Sequence, residues 1–257
     1  MLCRESPHVE LVSVTAGYGR SPALRGVTAG MQGGVVNAVL GPNGSGKSTL
    51  LDVIAGVLAP AAGRVRGVTG RLAYVSQHVG VGERLPMTVR NVVAMGRWAH
   101  RGPWRPLLPR DRAVVAESMD RMEIGHLADT QIGELSGGQR HRVLIARGLA
   151  QQADLLLLDE PSAGLDWAAD AMVRAVLDDE TRRGVTVVHA THDVRSALTA
   201  QHCLLLDCGQ LVASGKPDAV LTESSIASVW RIPARSVLAP PAERSVSATR
   251  TGVAVAF

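Results

Sequence analysis

The nine residues Gly41-Pro42-Asn43-Gly44-Ser45-Gly46-Lys47-Ser48-Thr49 constrain the fold more tightly than any other stretch of the chain. From Gly41 to Ser48 they satisfy the phosphate-loop pattern G-x-x-x-x-G-K-[ST] in full. Residues 35–40 ahead of the loop read as a buried strand, and residues 50–58 behind it place apolar side chains on one helical face. Strand, loop and helix in that order are the setting in which such a pattern works. The glycines let backbone N–H groups turn inward toward phosphate oxygens, and the helix presents the positive end of its dipole to the same anion. A chain with this stretch is expected to bind a nucleoside triphosphate. Lys47 would reach the β- and γ-phosphates, and the Ser48 hydroxyl would ligate Mg²⁺.

Three further apolar runs each end in a polar residue suited to the same chemistry. Leu72-Ala73-Tyr74-Val75 leads into Ser76-Gln77, and residues 185–190 lead into Thr191-His192-Asp193. Leu155-Leu156-Leu157-Leu158 reads as a strand buried on both faces of a parallel sheet, and it delivers Asp159-Glu160 at its end. Ligands of open α/β sheets bind outside the carboxyl ends of the strands, so Lys47, Gln77, Asp159, Glu160 and His192 are expected in one crevice. Adjacent strand residues point opposite ways, which would send Asp159 toward hydrated Mg²⁺ and Glu160 toward an attacking water. His189, inside its strand, reads as a packed core residue.

Leu135-Ser136-Gly137-Gly138-Gln139 is a second signal of comparable strength. Ser136 and Gln139 have the spacing of a capping box that opens a helix through Val143, Leu144, Ala146, Arg147 and Ala150. Gly137 and Gly138 each cost that helix about 1 kcal/mol relative to Ala, a poor choice unless something must approach the backbone closely. The helix tip is therefore a second candidate anion site. Ser162-Ala163-Gly164-Leu165-Asp166 forms a turn that caps another helix, with an apolar face at Ala169, Met172, Val173, Val176 and Leu177 and a stop at Gly184.

The remainder is less specific. Residues 9–14 alternate as an amphipathic strand, and residues 204–213 read as a hairpin. Tyr18, in the turn Gly17-Tyr18-Gly19, either stacks on a base or simply packs. Between Glu83 and Arg112 seven arginines (84, 90, 97, 101, 105, 110 and 112) face only Glu83 and Asp111, with Trp98 and Trp104 among prolines. That stretch is open to three readings: a protein-docking surface, a solvated loop, or a nucleic-acid contact. Val114, Val115, Met119 and Met122 after it mark an amphipathic helix. The 257 residues suffice for one α/β domain, and with 3% aromatic residues the core must be aliphatic. The net charge of +4 is modest, and of the 27 basic residues only Lys47 and Lys216 are lysine. Cys3, Cys203 and Cys208 form no disulfide framework. No apolar leader opens the chain and no run approaches the ~18 apolar residues of a membrane span, so a soluble, cytoplasmic protein is expected. Residues 236–257 turn to Ala, Pro, Ser and Arg without periodicity and read as a disordered tail.

Phosphate loop, Leu-Ser-Gly-Gly-Gln and strand-Asp-Glu-Pro, in this order, resemble the nucleotide-binding subunit of an ATP-binding cassette (ABC) transporter over residues 9–235. The resemblance implies an α/β fold: a RecA-like phosphate-loop NTPase sheet, N-terminal antiparallel β elements, and a helical subdomain inserted at about 84–150. It implies ATP and Mg²⁺ as ligands, held by Gly41, Pro42, Asn43, Gly44, Ser45, Gly46, Lys47, Ser48 and Thr49, with adenine stacked on Tyr18. Gln77 would sense the γ-phosphate, touch the metal and couple to the membrane subunit. Asp159 would help hold Mg²⁺, Glu160 would be the general base, and His192 would orient the γ-phosphate. Ser136, Gly137, Gly138 and Gln139 would bind the triphosphate held by a second, head-to-tail copy, with Asp166 bridging the pair. The implied partners are a membrane permease, at the inner face of the cell membrane, and an extracellular substrate-binding protein, with no nucleic acid. Residues 85–98 resemble the matching segment of zinc and manganese uptake ATPases, and iron-siderophore ATPases carry a similar stretch. His141 and Trp167 depart from the family's usual residues at positions expected to lie away from the chemistry, and Cys208 stands where a hairpin acid or amide is usual, a change without a reading either way.

Overall fold

The computed structural model describes residues 8–19, 21–76 and 86–231. Gln77, the acidic and basic residues Glu83 and Arg84, and the expected tail 236–257 lie outside the described residues. The chain opens with β1 (Val9–Ala16), β2 (Leu24–Met31) and β3 (Val36–Leu40), then α1 (Lys47–Ile54), β4 (Ala62–Arg66) and β5 (Leu72–Val75). A helical stretch follows: α2 (Val89–Ala94), α3 (Trp98–Arg101), α4 (Pro109–Arg121) and α5 (Gly137–Leu149). The chain then alternates β6 (Leu155–Asp159), α6 (Trp167–Arg182), β7 (Thr186–Thr191), α7 (Val194–Leu198), β8 (His202–Asp207) and β9 (Gln210–Gly215), and ends in α8 (Pro217–Val220) and α9 (Glu223–Trp230).

Two sheets result. A six-stranded sheet runs β5-β6-β7-β3-β8-β9, parallel except for β9, and an antiparallel sheet runs β2-β1-β4. The four strands singled out in the sequence are consecutive neighbours in the larger sheet, so their carboxyl ends share one edge. The run of four leucines explains how that sheet is covered. Leu155 and Leu157 belong to one core, with α1, β1 and β2. Leu156 and Leu158 belong to the other, with α5 and α6. Alternation along a strand sends neighbours to opposite faces, and both faces here are roofed, so every position is apolar. Cys203 and Leu204 on β8 divide between the two cores in the same way. The sequence reading of residues 204–213 as a hairpin is correct for β8 and β9, but β8 also pairs in parallel with β3 and is a core strand.

Two local departures have clear causes. The helix after the phosphate loop ends at Ile54 rather than continuing to residue 58, because Gly56 takes φ +72° and turns the chain away. In β1 the alternation 9–14 is interrupted at Ser13, φ +48°, where the register shifts against β2. That bulge lets Val14 and Ala16 join Val9 and Leu11 in the core.

Within the basic stretch, Arg97 is not a surface charge. Its guanidinium pairs with the buried Asp111 at 3.0 Å and donates to the Ala150 carbonyl at 2.8 Å, fastening the end of α5 to α4. Trp104, by contrast, is almost wholly exposed. Cys203 is a buried thiol whose pKa burial pushes up to about 12, in keeping with a packing role. Among the described residues no helix is long and apolar enough to cross a membrane.

Candidate active site

The site begins where β3, buried at all five positions, runs out into the loop. Gly46 sits at φ +102° ahead of α1, and no side chain caps that helix. The first N–H groups of α1 are therefore left for a ligand, the arrangement that favours an anion. Lys47 is 6% exposed and donates from Nζ to the Gly41 carbonyl at 2.9 Å and the Pro42 carbonyl at 3.1 Å. Burial lowers its pKa, and the neighbouring Glu160 and Asp159 carboxylates partly restore it. An open cleft outside this loop is lined by Ala23, Asn43, Gly44, Gly46, Lys47, Ser48, Thr49 and Glu160. The loop is braced from behind by the β8–β9 turn, where Gly209 N–H donates to the Ser45 carbonyl at 3.0 Å.

Asp159 ends β6 on the same face as Leu155 and Leu157, the face that α1 covers. It is 2% exposed, and neither carboxylate oxygen has a hydrogen-bond partner. Burial raises its pKa; the nearby Ser48 hydroxyl and the Lys47 ammonium act in the opposite direction without satisfying either oxygen. A buried, unsatisfied carboxylate beside a hydroxyl fits a hard cation, and the donor set is one a Mg²⁺ ion would complete with water and phosphate oxygens.

Glu160 departs from the sequence expectation in how it is aimed. It lies beyond β6 with φ +53°, so strand alternation does not set its direction. The backbone turns there because Glu160 N–H donates to the Ala190 carbonyl of β7 at 3.0 Å. The side chain then reaches both neighbours: Oε1 lies 3.8 Å from Lys47 Nζ, and Oε2 lies 2.9 Å from Nδ1 of the exposed His192. A non-glycine residue held in the left-handed region is strained, and such strain gathers at functional sites.

Other sequence candidates fall close by. Asp166 caps α6, accepting from Ala169 N–H at 2.8 Å, and shares a groove with Glu160 and His192. The exposed ring of Tyr18 is tied to α1 through Asp52. Ser136 and Gln139 form the expected capping box, with Ser136 Oγ accepting from Gln139 N–H at 3.2 Å and Gln139 Oε1 from Ser136 N–H at 2.9 Å. They do not line the Lys47 cleft. Among the described residues a side chain at Gly137 would meet nothing within 4 Å, and one at Gly138 would make ordinary contact with Gly164 and Leu165. His189 is buried in the core and held neutral, its pKa lowered to about 4 by burial.

Sequence reasoning did not place two residues that the structure brings near these groups. Asp52 left one signal, a lone charge within an apolar helix. His141, expected to lie away from the chemistry, lies near the backbone of Pro161, the residue after Glu160, and burial lowers its pKa. Only the packing of α5 against the end of β6 reveals that contact.

An uncapped helix tip with a buried lysine, a desolvated carboxylate and a strained glutamate paired to histidine defines a phosphate-loop nucleotide hydrolase. The family model for ABC transporters matches residues 24–163, and the chain belongs to that family as an ATP-binding, ATP-hydrolysing subunit. It is 38% identical over 235 residues to the manganese transport system ATP-binding protein MntA of Synechocystis, covering 88% of this chain and 90% of that one. It is 37% identical to the zinc transport system ATP-binding protein TroB of Treponema pallidum, covering 85% of each chain. The hemin import ATP-binding protein HmuV of Nocardia farcinica is 39% identical, covering 84% of this chain and 79% of that one. Among solved structures, an inward-facing transporter assigned to the metal-chelate type matches with a TM-score of 0.79 at 29% identity, over 88% of this chain and 90% of that chain.

Proposed function

We propose that this chain powers uptake of a divalent metal ion, manganese or zinc, through a separate membrane permease, working at the inner face of the membrane as one of two identical ATPase subunits. The likeness to manganese and zinc transport subunits over nearly the whole chain carries the cargo. An extracellular substrate-binding protein would deliver the metal. Among the described residues no group of three His, Cys, Asp or Glu side chains is gathered for a metal.

In this reading Gly41 to Thr49 wrap the triphosphate, and Lys47 leaves its carbonyl partners for the phosphate oxygens. Glu160 takes the proton of the attacking water, and His192 steadies the glutamate and the γ-phosphate. Asp159 and Ser48 would hold Mg²⁺, which supplies neutralising charge to the phosphates when bound. Gln77, as the resemblance has it, would complete that set. The tip of α5, with Ser136, Gly137, Gly138 and Gln139, would close on the nucleotide of the second copy beside Asp166. That no contact among the described residues requires glycine at 137 supports such a role.

A second reading, an ATPase for an iron-chelate importer, is supported by the hemin import relative. Deleting the gene and measuring cell manganese, zinc and iron separates the two. Loss of manganese or zinc accumulation supports the first; unchanged levels of both, with failure to grow on hemin as iron source, replaces it with the second.

A further inference from the structure

The turn between β1 and β2 carries Tyr18, whose ring is 64% exposed. An exposed ring moves between rotamers unless its polar end is held. Here it is held, because Tyr18 Oη donates to Asp52 Oδ2 at 2.6 Å. Asp52 lies one turn beyond Ser48 and is the only carboxylate of α1. Its other oxygen, Oδ1, accepts from Oη of the half-buried Tyr74 on β5 at 3.1 Å. Each carboxylate oxygen thus serves one phenol, and the carboxylate cannot rotate without losing a bond. The same turn presses on the phosphate loop: Ala23 lines the nucleotide cleft, and a side chain at Gly46 would come within 2.8 Å of the Ala23 carbonyl. The ring therefore belongs to the turn that borders the phosphate loop, held to α1 at its hydroxyl and largely exposed.

We propose that Asp52 is a positioning residue for nucleotide binding: it clamps Tyr18 so that the ring is already set to stack on the base, and Tyr74 clamps Asp52 in turn. This rests on the reading of Tyr18 as the base-stacking residue and adds the group that orients it. The bond to Asp52, with burial second, raises the Tyr18 pKa to about 12, so the phenol remains a donor across the working pH range. Ordering the ring before the nucleotide arrives removes a cost otherwise met on binding, an effect of roughly two- to tenfold in affinity. Loss of the ring itself costs more, roughly five- to a hundredfold by the measure of base–aromatic stacking.

The test compares Kd for ATP with Kd for inorganic tripolyphosphate, which has no base, in the full-length protein by calorimetry. Removing the Asp52 charge acts on both anions alike, so the ratio isolates the base. Asp52→Ala and Tyr18→Phe are each expected to reduce the preference for ATP roughly two- to tenfold, and the double variant no further than either. Tyr18→Ala is expected to reduce it more. If Tyr18→Ala lowers the preference while Asp52→Ala and Tyr18→Phe leave it unchanged, the clamp is wrong and the stacking role stands. If Tyr18→Ala leaves it unchanged, the stacking role and the clamp fall together.

Discussion

Two helix tips in this protein carry glycines, and the reasons for glycine differ. At the tip of α1, Gly46 holds φ +102°, and a side chain there would strike the Ala23 carbonyl at 2.8 Å. The phosphate loop needs glycine to fold within this chain. At the tip of α5, a side chain at Gly137 would project into open space, and Ser136 and Gln139 already satisfy each other. Nothing among the described residues asks for glycine at 137. One tip gathers a lysine, two carboxylates and a histidine of its own chain. At the other, no described residue crowds either glycine, which agrees with the proposal that this tip meets the nucleotide of a second copy.

That contrast can be broken at several points. The largest effect is expected from Glu160→Gln, which keeps the shape and removes the base. Hydrolysis should fall about 10²- to 10⁴-fold with ATP binding retained, and the ATP-loaded protein should sediment as a dimer. Near-normal phosphate release would remove Glu160 from the role of base. Next comes Gly46→Ala, expected to cost about 1–3 kcal/mol of stability in denaturant unfolding and to weaken ATP binding, since it forces a left-handed alanine against backbone.

Asp159→Asn should act in the opposite sense on the nucleotide-free protein. A carboxylate whose folded pKa is raised favours the folded state when protonated, so its contribution is lost as pH rises from the unfolded value, near 3.9, through the raised one. Removing that buried, unpartnered charge should raise stability at neutral pH by about 1–2 kcal/mol and flatten this slope, while Mg²⁺-dependent hydrolysis falls. Thermal melts from pH 4 to pH 8 would read both. Smallest in energy is Gly137→Ala, expected to stabilise by up to about 0.5 kcal/mol and to leave ATP binding by a single copy unchanged. Under the proposed pairing hydrolysis should nevertheless drop, because the added methyl group would face the second copy's nucleotide. Unimpaired hydrolysis would mean that the α5 tip never meets a triphosphate.

The two tips also mark how far the residues alone could be read. Ser136 and Gln139 act between residues three apart, so the capping box was visible in the chain order. The doubly buried β6 was visible too, because four consecutive leucines suit only a strand roofed on both faces. Glu160 was found as a residue but not as a geometry. Its aim depends on a hydrogen bond to Ala190, thirty positions away in sequence, and on a left-handed backbone that no local pattern announces. The bulge at Ser13, the contact of His141 with Pro161 and the clamp of Asp52 between Tyr18 and Tyr74 were hidden for the same reason.

The sequence by itself determined which chemistry the chain carries, because phosphate loops, helix caps and buried strands are specified by neighbours within a few residues. The tertiary structure alone decided where that chemistry points. The parallel sheet sets β5, β6, β7 and β3 side by side with their ends at one edge. It is this long-range pairing, with the burial it imposes, that strips Asp159 of water, turns Glu160 toward Lys47 and His192, and leaves the α5 tip outside the lining of the Lys47 cleft.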